Sequence, residues 1–366
     1  MENKHRLLFA AVDIGWRIST YQKFLEEELG DRIKIESFVK YKVPDKHFRA
    51  SYTYQIPLTS YPGPIRWLIS LLFFLMALFK YSHFYFFSGE TLLTRRSRSF
   101  ELKVYKLLGK KVIFHFVGSD IRDPEYLKWK ADHIRESLAG ESDHEKSKEW
   151  QKALLKDSQK YADQIFVSTP DLLEICPAAT YFPLTIDVEQ IKNEIQRAKL
   201  DQGDSFKTDK LRILHAPSNP MTKGSALICK AIEELDQEGL VFEYIYTPDL
   251  DLKENSAYPV SRYQLFGLYE EADIVIDQMV IGWYGMQSIE ALLASCSVVC
   301  YIDEHLENYL SSNCPLINTD AIHLKTRMRE LINKGKPKAN PDLTKQWISQ
   351  AHSLETKGQL LSALFK

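Results

Sequence analysis

The chain has 366 residues, 45% of them apolar and 26% charged, with 15 Gly and 15 Pro. That length and mixture fit two domains with ordinary hydrophobic cores and exclude collagenous, disordered and low-complexity chains. Forty-seven Lys and Arg against 49 Asp and Glu leave a net charge of −2, so no global field draws the chain to nucleic acid and any anionic ligand must be held by local groups.

The first apolar run, residues 7–12, follows a charged start with no small-residue cleavage site, and reads as a β-strand rather than a signal peptide. Ser19-Thr20 with Gln22 signals a helix start; Tyr21, Phe24, Leu25 and Leu29 share its apolar stripe, and Gly30 ends it. Short apolar runs at 33–39, 84–87, 112–116 and 164–167, separated by helical patterns, predict a mostly parallel sheet covered on both faces. Residues 67–79 are apolar apart from Ser70 and lie between Arg66 and Lys80. This run falls short of the ~20 residues that span a bilayer. It reads either as a buried core helix or as an interfacial helix dipping into a membrane. Residues 130–160 carry seven acidic and seven basic side chains and read as solvated helices joined near Gly140. The polar stretch 201–210 is the candidate interdomain linker.

The alternation then restarts, with strands expected at 211–216, 242–246, 274–276 and 298–302 and helices at 225–235, 262–271 and 286–294. Two α/β wraps in series imply two domains, 1–200 and 211–342, with a cleft between them. No Walker loop, GxGxxG or helix-turn-helix signature occurs. The five cysteines form no CxxC pair and no zinc-ligand spacing, and read as reduced thiols of a cytoplasmic protein.

In open α/β sheets ligands sit at the carboxyl ends of strands, which singles out three loops. After 211–216, Pro217 and Pro220 stiffen a loop in which Lys223 and Gly224 bring an ammonium and a backbone without Cβ to a helix start, where a phosphate would bind. The alternative there is a helix cap with a surface lysine. After 274–276, Gly282 and Gly285 flank Trp283-Tyr284 ahead of a helix opening at Met286, a turn able to present amides to a diphosphate. Glu290 in that helix is either a surface glutamate or an acceptor for two ribose hydroxyls. After 112–116, His115, Gly118, Ser119, Asp120 and Arg122 cluster at a strand end; there His115 could be structural, and Asp120 could simply pair with Arg122.

Residues 282–302, with the Gly-aromatic loop, Glu290-Ala291 and the following apolar strand, resemble the donor-binding segment of group 1 glycosyltransferases of the GT-B fold. The strand-loop-Lys-Gly-helix unit at 211–235 is similar to the phosphate-contacting unit that precedes it in that family. The resemblance implies two Rossmann-like domains facing a central cleft, with the acceptor on the first and a nucleotide-sugar on the second. It assigns Lys223 to the donor diphosphate, the backbone around Trp283–Met286 to the phosphates and Glu290 to the ribose. It places His115 and Asp120 facing the transferred sugar, and Gly15, in the loop after the first strand, near the donor phosphates. Two positions depart from the family pattern: its first carboxylate would fall at Gly282, where Asp277-Gln278 could substitute, and its phosphate-binding arginine at Ser218. The resemblance further implies retention of configuration, no cofactor or metal, and a C-terminal helix over 343–366 that crosses back to the first domain. The acceptor is expected to be a glycan or lipid-linked, met at the inner face of the cell membrane during polysaccharide synthesis. A non-catalytic sugar-nucleotide-binding relative and a GT-B epimerase remain the alternatives.

Overall fold

The computed structural model describes residues 5–41, 52–122, 144–202, 209–250 and 260–365. These fall into two compact units, the first made of residues up to 122, 144–186 and 353–365, the second of 187–352.

The first unit runs β1 (His5–Ala10), α1 (Arg17–Leu29), β2 (Ile33–Val39), β3 (Tyr54–Gln55), α2 (Gly63–Lys80), β4 (His83–Phe87), α3 (Arg98–Leu107), β5 (Lys111–Phe116), α4 (His144–Tyr161), β6 (Gln164–Val167), α5 (Leu172–Ile175) and β7 (Thr180–Tyr181). Its seven strands pair in parallel in the order β3-β2-β1-β4-β5-β6-β7. Because side chains alternate across a strand, both faces are apolar. Leu8, Phe84, Phe86, Phe114 and Phe116 pack beneath α2, α3 and α4; Leu7, Phe9, Tyr85, Phe87 and Ile113 pack beneath α1 on the other side.

The second unit runs α6 (Val188–Gln202), β8 (Leu211–His215), α7 (Pro220–Lys223), α8 (Ser225–Gln237), β9 (Phe242–Tyr246), α9 (Arg262–Glu271), β10 (Ile274–Ile276), α10 (Met286–Leu293), β11 (Ser297–Cys300), β12 (Ile317–Asn318), α11 (Leu324–Asn333) and α12 (Pro341–Ala351). Its parallel sheet has the order β12-β11-β10-β8-β9. The chain then contributes α13 (Leu354–Lys357) and α14 (Gln359–Ala363) to the first unit, where Leu354 and Leu361 join the core under α1.

Four sequence expectations change here. Helix α1 begins at Arg17, two residues ahead of the Ser19-Thr20 signal, because Asp13 accepts the Ile18 amide at 3.1 Å and satisfies the first turn. Residues 343–366 are not one helix: the backbone breaks at His352-Ser353 and Gly358, giving α12, α13 and α14. Residues 188–200, assigned from sequence to the first domain, belong to the second unit, where α6 packs on α9. Helix α2 exceeds the expected 67–79 at its amino end, where Pro64 is tolerated in the first turn. Residues 130–143 and most of the expected linker, 203–208, lie outside the described residues. All five cysteines are free, with Cys176, Cys296 and Cys300 buried.

Candidate functional site

Strands β8 and β10 are neighbours at the point where the strand order of the second sheet reverses, so the loops at their carboxyl ends meet where such sheets place ligands. After β8, the Asn219 side chain caps α7 by accepting from the amides of Met221 (3.0 Å) and Thr222 (3.2 Å). Gly224 then reverses the chain into α8 at φ 73°, and a Cβ there would lie 2.7 Å from Val280 Cγ2. Only glycine combines that backbone with so close an approach. The Met279 amide donates to the Lys223 carbonyl at 3.0 Å and ties the two loops together.

Asp277, wholly buried after β10, is the centre of this arrangement. One carboxylate oxygen takes the Lys223 ammonium; the other accepts from the Gly285 amide at 2.9 Å and Ser288 Oγ at 2.6 Å. Burial disfavours the charge, but Lys223, Ser288 and Gly285 outweigh it and hold the carboxyl below its ordinary range. The Lys223 side chain keeps 12% of its surface exposed, and an ammonium has three donors, so N–H groups remain beyond the one that Asp277 takes. Gln278 is also buried; its Oε1 accepts from the Val280 and Ile281 amides at 2.7 and 2.6 Å, and its Nε2 donates to the Tyr301 carbonyl at 2.6 Å. In this structure Asp277 and Gln278, expected to substitute for the sugar-contacting carboxylate, hold the loop with hydrogen bonds inside the unit.

Gly282 sits at φ 78°, and a Cβ would meet Asp303 Cβ at 2.9 Å, which accounts for glycine where a carboxylate was expected. Trp283 and Tyr284 stack at 4.8 Å and are buried, Tyr284 facing Trp347 and bonding His352 Nε2 at 3.1 Å. Their side chains are core, leaving the backbone to Met286 as what this turn can offer. Glu290 is likewise buried; it pairs with Arg262 and accepts from Tyr269 Oη at 3.4 Å. Burial raises its carboxyl above the ordinary range despite Arg262 and Tyr269. Ser218 is exposed on the loop ahead of Asn219. His215, at the end of β8, approaches the Ile276 carbonyl with Nδ1 and Ser225 Oγ with Nε2, both at 2.8 Å. A carbonyl can only accept, so Nδ1 carries the proton and Nε2 accepts from Ser225.

In the first unit His115 is fully buried among aromatic rings, with Nδ1 at 2.9 Å from Tyr85 Oη and Nε2 at 2.9 Å from Ser168 Oγ. Ser168 in turn accepts from Arg17 at 2.9 Å. Asp120 accepts from the amides of Val117, Gly118 and Ile121 and folds its own loop. Arg122 pairs through two nitrogens with Asp171, at 2.7 and 3.1 Å, rather than with Asp120. In this geometry His115 and Asp120, expected to face the transferred sugar, brace the strand-end loop. Gly15 is exposed at φ 67° in the loop after β1, which Asp13 holds by accepting from Ile18 and from Tyr52 Oη at 2.8 Å.

Sequence reading missed the roles of Asn219, Arg262 and Ser288. Ser261 and Gln264 form a capping box legible as S-x-x-Q, which fixes where Arg262 starts α9; nothing in the sequence pairs Arg262 with Glu290. Among the described residues no three His, Cys, Asp or Glu side chains converge to hold a metal ion.

No protein-family model and no curated protein matches the chain by sequence. Solved structures match it throughout its length. Anabaena HepE in complex with UDP-glucose has 10% identity and a TM-score of 0.60, covering 98% of this chain and 99% of its own. Sucrose-phosphate synthase from Thermosynechococcus elongatus has 14% identity and a TM-score of 0.61, with 99% of each chain covered. The UDP-GlcNAc 2-epimerase of Methanocaldococcus jannaschii has 12% identity and a TM-score of 0.54, covering 98% and 99%. The fold is α/β of the GT-B type, two parallel sheets with interleaved helices.

Proposed function

We propose that the chain is a glycosyltransferase of the cytoplasm, moving a hexosyl group with retention from a nucleotide-sugar to a glycan or lipid-linked acceptor in polysaccharide synthesis. The observation that carries this reading is the pair of loops after β8 and β10, where Lys223 and the start of α10 share one buried carboxylate. The remaining N–H groups of Lys223 and the first amides of α10, which helix geometry leaves without an intrahelical acceptor, suit a diphosphate. Gln287, in that first turn, adds a buried Nε2 with no acceptor among the described residues. Glu290 with Arg262 would meet the ribose. HepE, with UDP-glucose bound, supports a uridine nucleotide as the donor.

In the transfer the anomeric carbon–phosphate oxygen bond breaks and its electron pair leaves with the diphosphate, while the acceptor hydroxyl oxygen bonds the anomeric carbon and passes its proton to the departing diphosphate oxygen. Fixed cationic and backbone donors stabilise the charge developing on that leaving group, so the reading assigns the step no metal or cofactor. The epimerase neighbour gives a second reading, and an assay of UDP release from UDP-sugars with and without acceptor separates them. A transferase releases nucleoside diphosphate only when an acceptor is present. An epimerase yields altered sugar or free UDP without one, and calorimetry showing no affinity for UDP or UDP-sugars would reject both.

A further inference from the structure

Helix α2 is apolar on all sides, yet only five of its 18 residues are buried: Ser70, Phe73, Phe74, Ala77 and Leu78. These pack on the sheet. The opposite face exposes Ile65, Leu68, Leu72, Leu75, Met76 and Phe79, Phe79 to 92%. Spacings of three and four residues align them in one stripe, about 20 Å long at 1.5 Å per residue. A solvated surface helix would carry polar residues there.

Helix α3 covers the same sheet face, with Tyr105 edge-on to Phe74 at 5.6 Å. Its outer side exposes Phe100 and Leu107, with Leu108 just beyond, among the exposed Lys103 and Lys106; Arg96 is exposed in the turn before it. Neither 63–80 nor 95–111 contains an acidic residue other than Glu101, and Glu101 is buried, accepting the Leu92 and Leu93 amides at 2.9 and 2.8 Å. Arg66, Arg96, Lys103 and Lys106 have no carboxylate partner among the described residues.

We infer that the outer faces of α2 and α3 dock the first unit on an anionic lipid surface, the apolar stripe entering the headgroup boundary and the basic residues meeting lipid phosphates. Charge chooses this occupant: a second copy would bring the same cationic surface against itself, whereas an anionic bilayer supplies both the apolar layer and the counter-charge. Insertion is shallow, because Phe73, Phe74, Ala77 and Leu78 hold the inner face of α2 in the core. The inference does not depend on the transferase reading, since none of these residues belongs to the candidate site.

The test is co-sedimentation of the full chain with phosphatidylcholine vesicles, with and without phosphatidylglycerol, at low and high salt. Binding is expected only to the anionic vesicles and is expected to fall with salt. Combined Arg96→Gln, Lys103→Gln and Lys106→Gln should weaken it on the order of a hundredfold, about fivefold per lost charge. Leu72→Ser with Phe79→Ser, both at exposed positions, should abolish it while leaving the melting temperature unchanged. Absence of binding at low salt, binding indifferent to both sets of substitutions, or a stable dimer lost in the Leu72/Phe79 variant would each overturn the inference.

Discussion

Lys223 pairs with the buried Asp277 and, in the proposed reading, also meets the donor diphosphate; the two roles can be separated. If it binds the donor diphosphate, Lys223→Ala should weaken binding of UDP by about 1.5–3 kcal/mol, the worth of a charge-assisted contact. Isothermal calorimetry unchanged in both Lys223→Ala and Glu290→Ala would remove the proposed donor site. The same substitution strands the buried Asp277 carboxylate, and breaking a buried pair from one side costs about 3–5 kcal/mol. Adding Asp277→Asn should recover part of that loss in urea unfolding without restoring affinity, a non-additivity that a double-variant cycle reads directly. His115 belongs to the other kind of residue. Its ring stacks on Phe87 at 5.2 Å and bonds Tyr85 and Ser168, so His115→Ala should cost about 3–5 kcal/mol in stability, as removal of a large buried ring does. Turnover of the surviving folded fraction should stay near normal; a large loss of turnover with stability intact would return His115 to the catalytic machinery.

At the scale of elements, Gly282 shows why a motif can be absent for backbone reasons. Placing the carboxylate of the resembled motif at this position as Gly282→Glu should lower the melting temperature rather than raise activity. The position needs φ 78° and has Asp303 Cβ 2.9 Å from where a Cβ would stand. A folded, more active variant would show that the glycine is a loss and not a requirement. The alternation of apolar runs with helical stripes made both sheets legible in the sequence, and looking after the strands located Lys223, Gly224 and the turn before Glu290. What the sequence withheld was pairing. Lys223 meets Asp277 because β8 lies beside β10 and not only beside β9, and strand order depends on packing of whole layers rather than on local pattern. The short strands β3, β7 and β12, two residues each, carry too few residues for a period to register. Asp120 and Arg122, two residues apart and opposite in charge, are turned to different partners by the tight Gly118 loop and the nearness of Asp171.

Over the whole molecule, buried neutral histidines tie stability to pH. Burial pushes His215 down to about 4 from 6.5 despite its bond to Ile276, and His83 likewise to about 4, with His5 and Lys111 adding to the effect. His115 is lowered in the same direction by burial and Arg17. Between those values the unfolded chain binds the protons first, so this contribution is fully present above pH 6.5 and is lost as pH falls toward about 4. Melting temperature should be level from pH 8 to 7 and drop through that window; a flat profile down to pH 4.5 would show that these rings are not held neutral. The return of 353–365 to the first unit has a consequence for biosynthesis. Leu354 and Leu361 complete the layer beneath α1, yet they leave the ribosome only after every strand of the second sheet. A nascent chain therefore carries its first sheet with one side incompletely covered while the second unit is made, and Leu25, Leu29 and Phe24 are the surfaces on which a chaperone would wait.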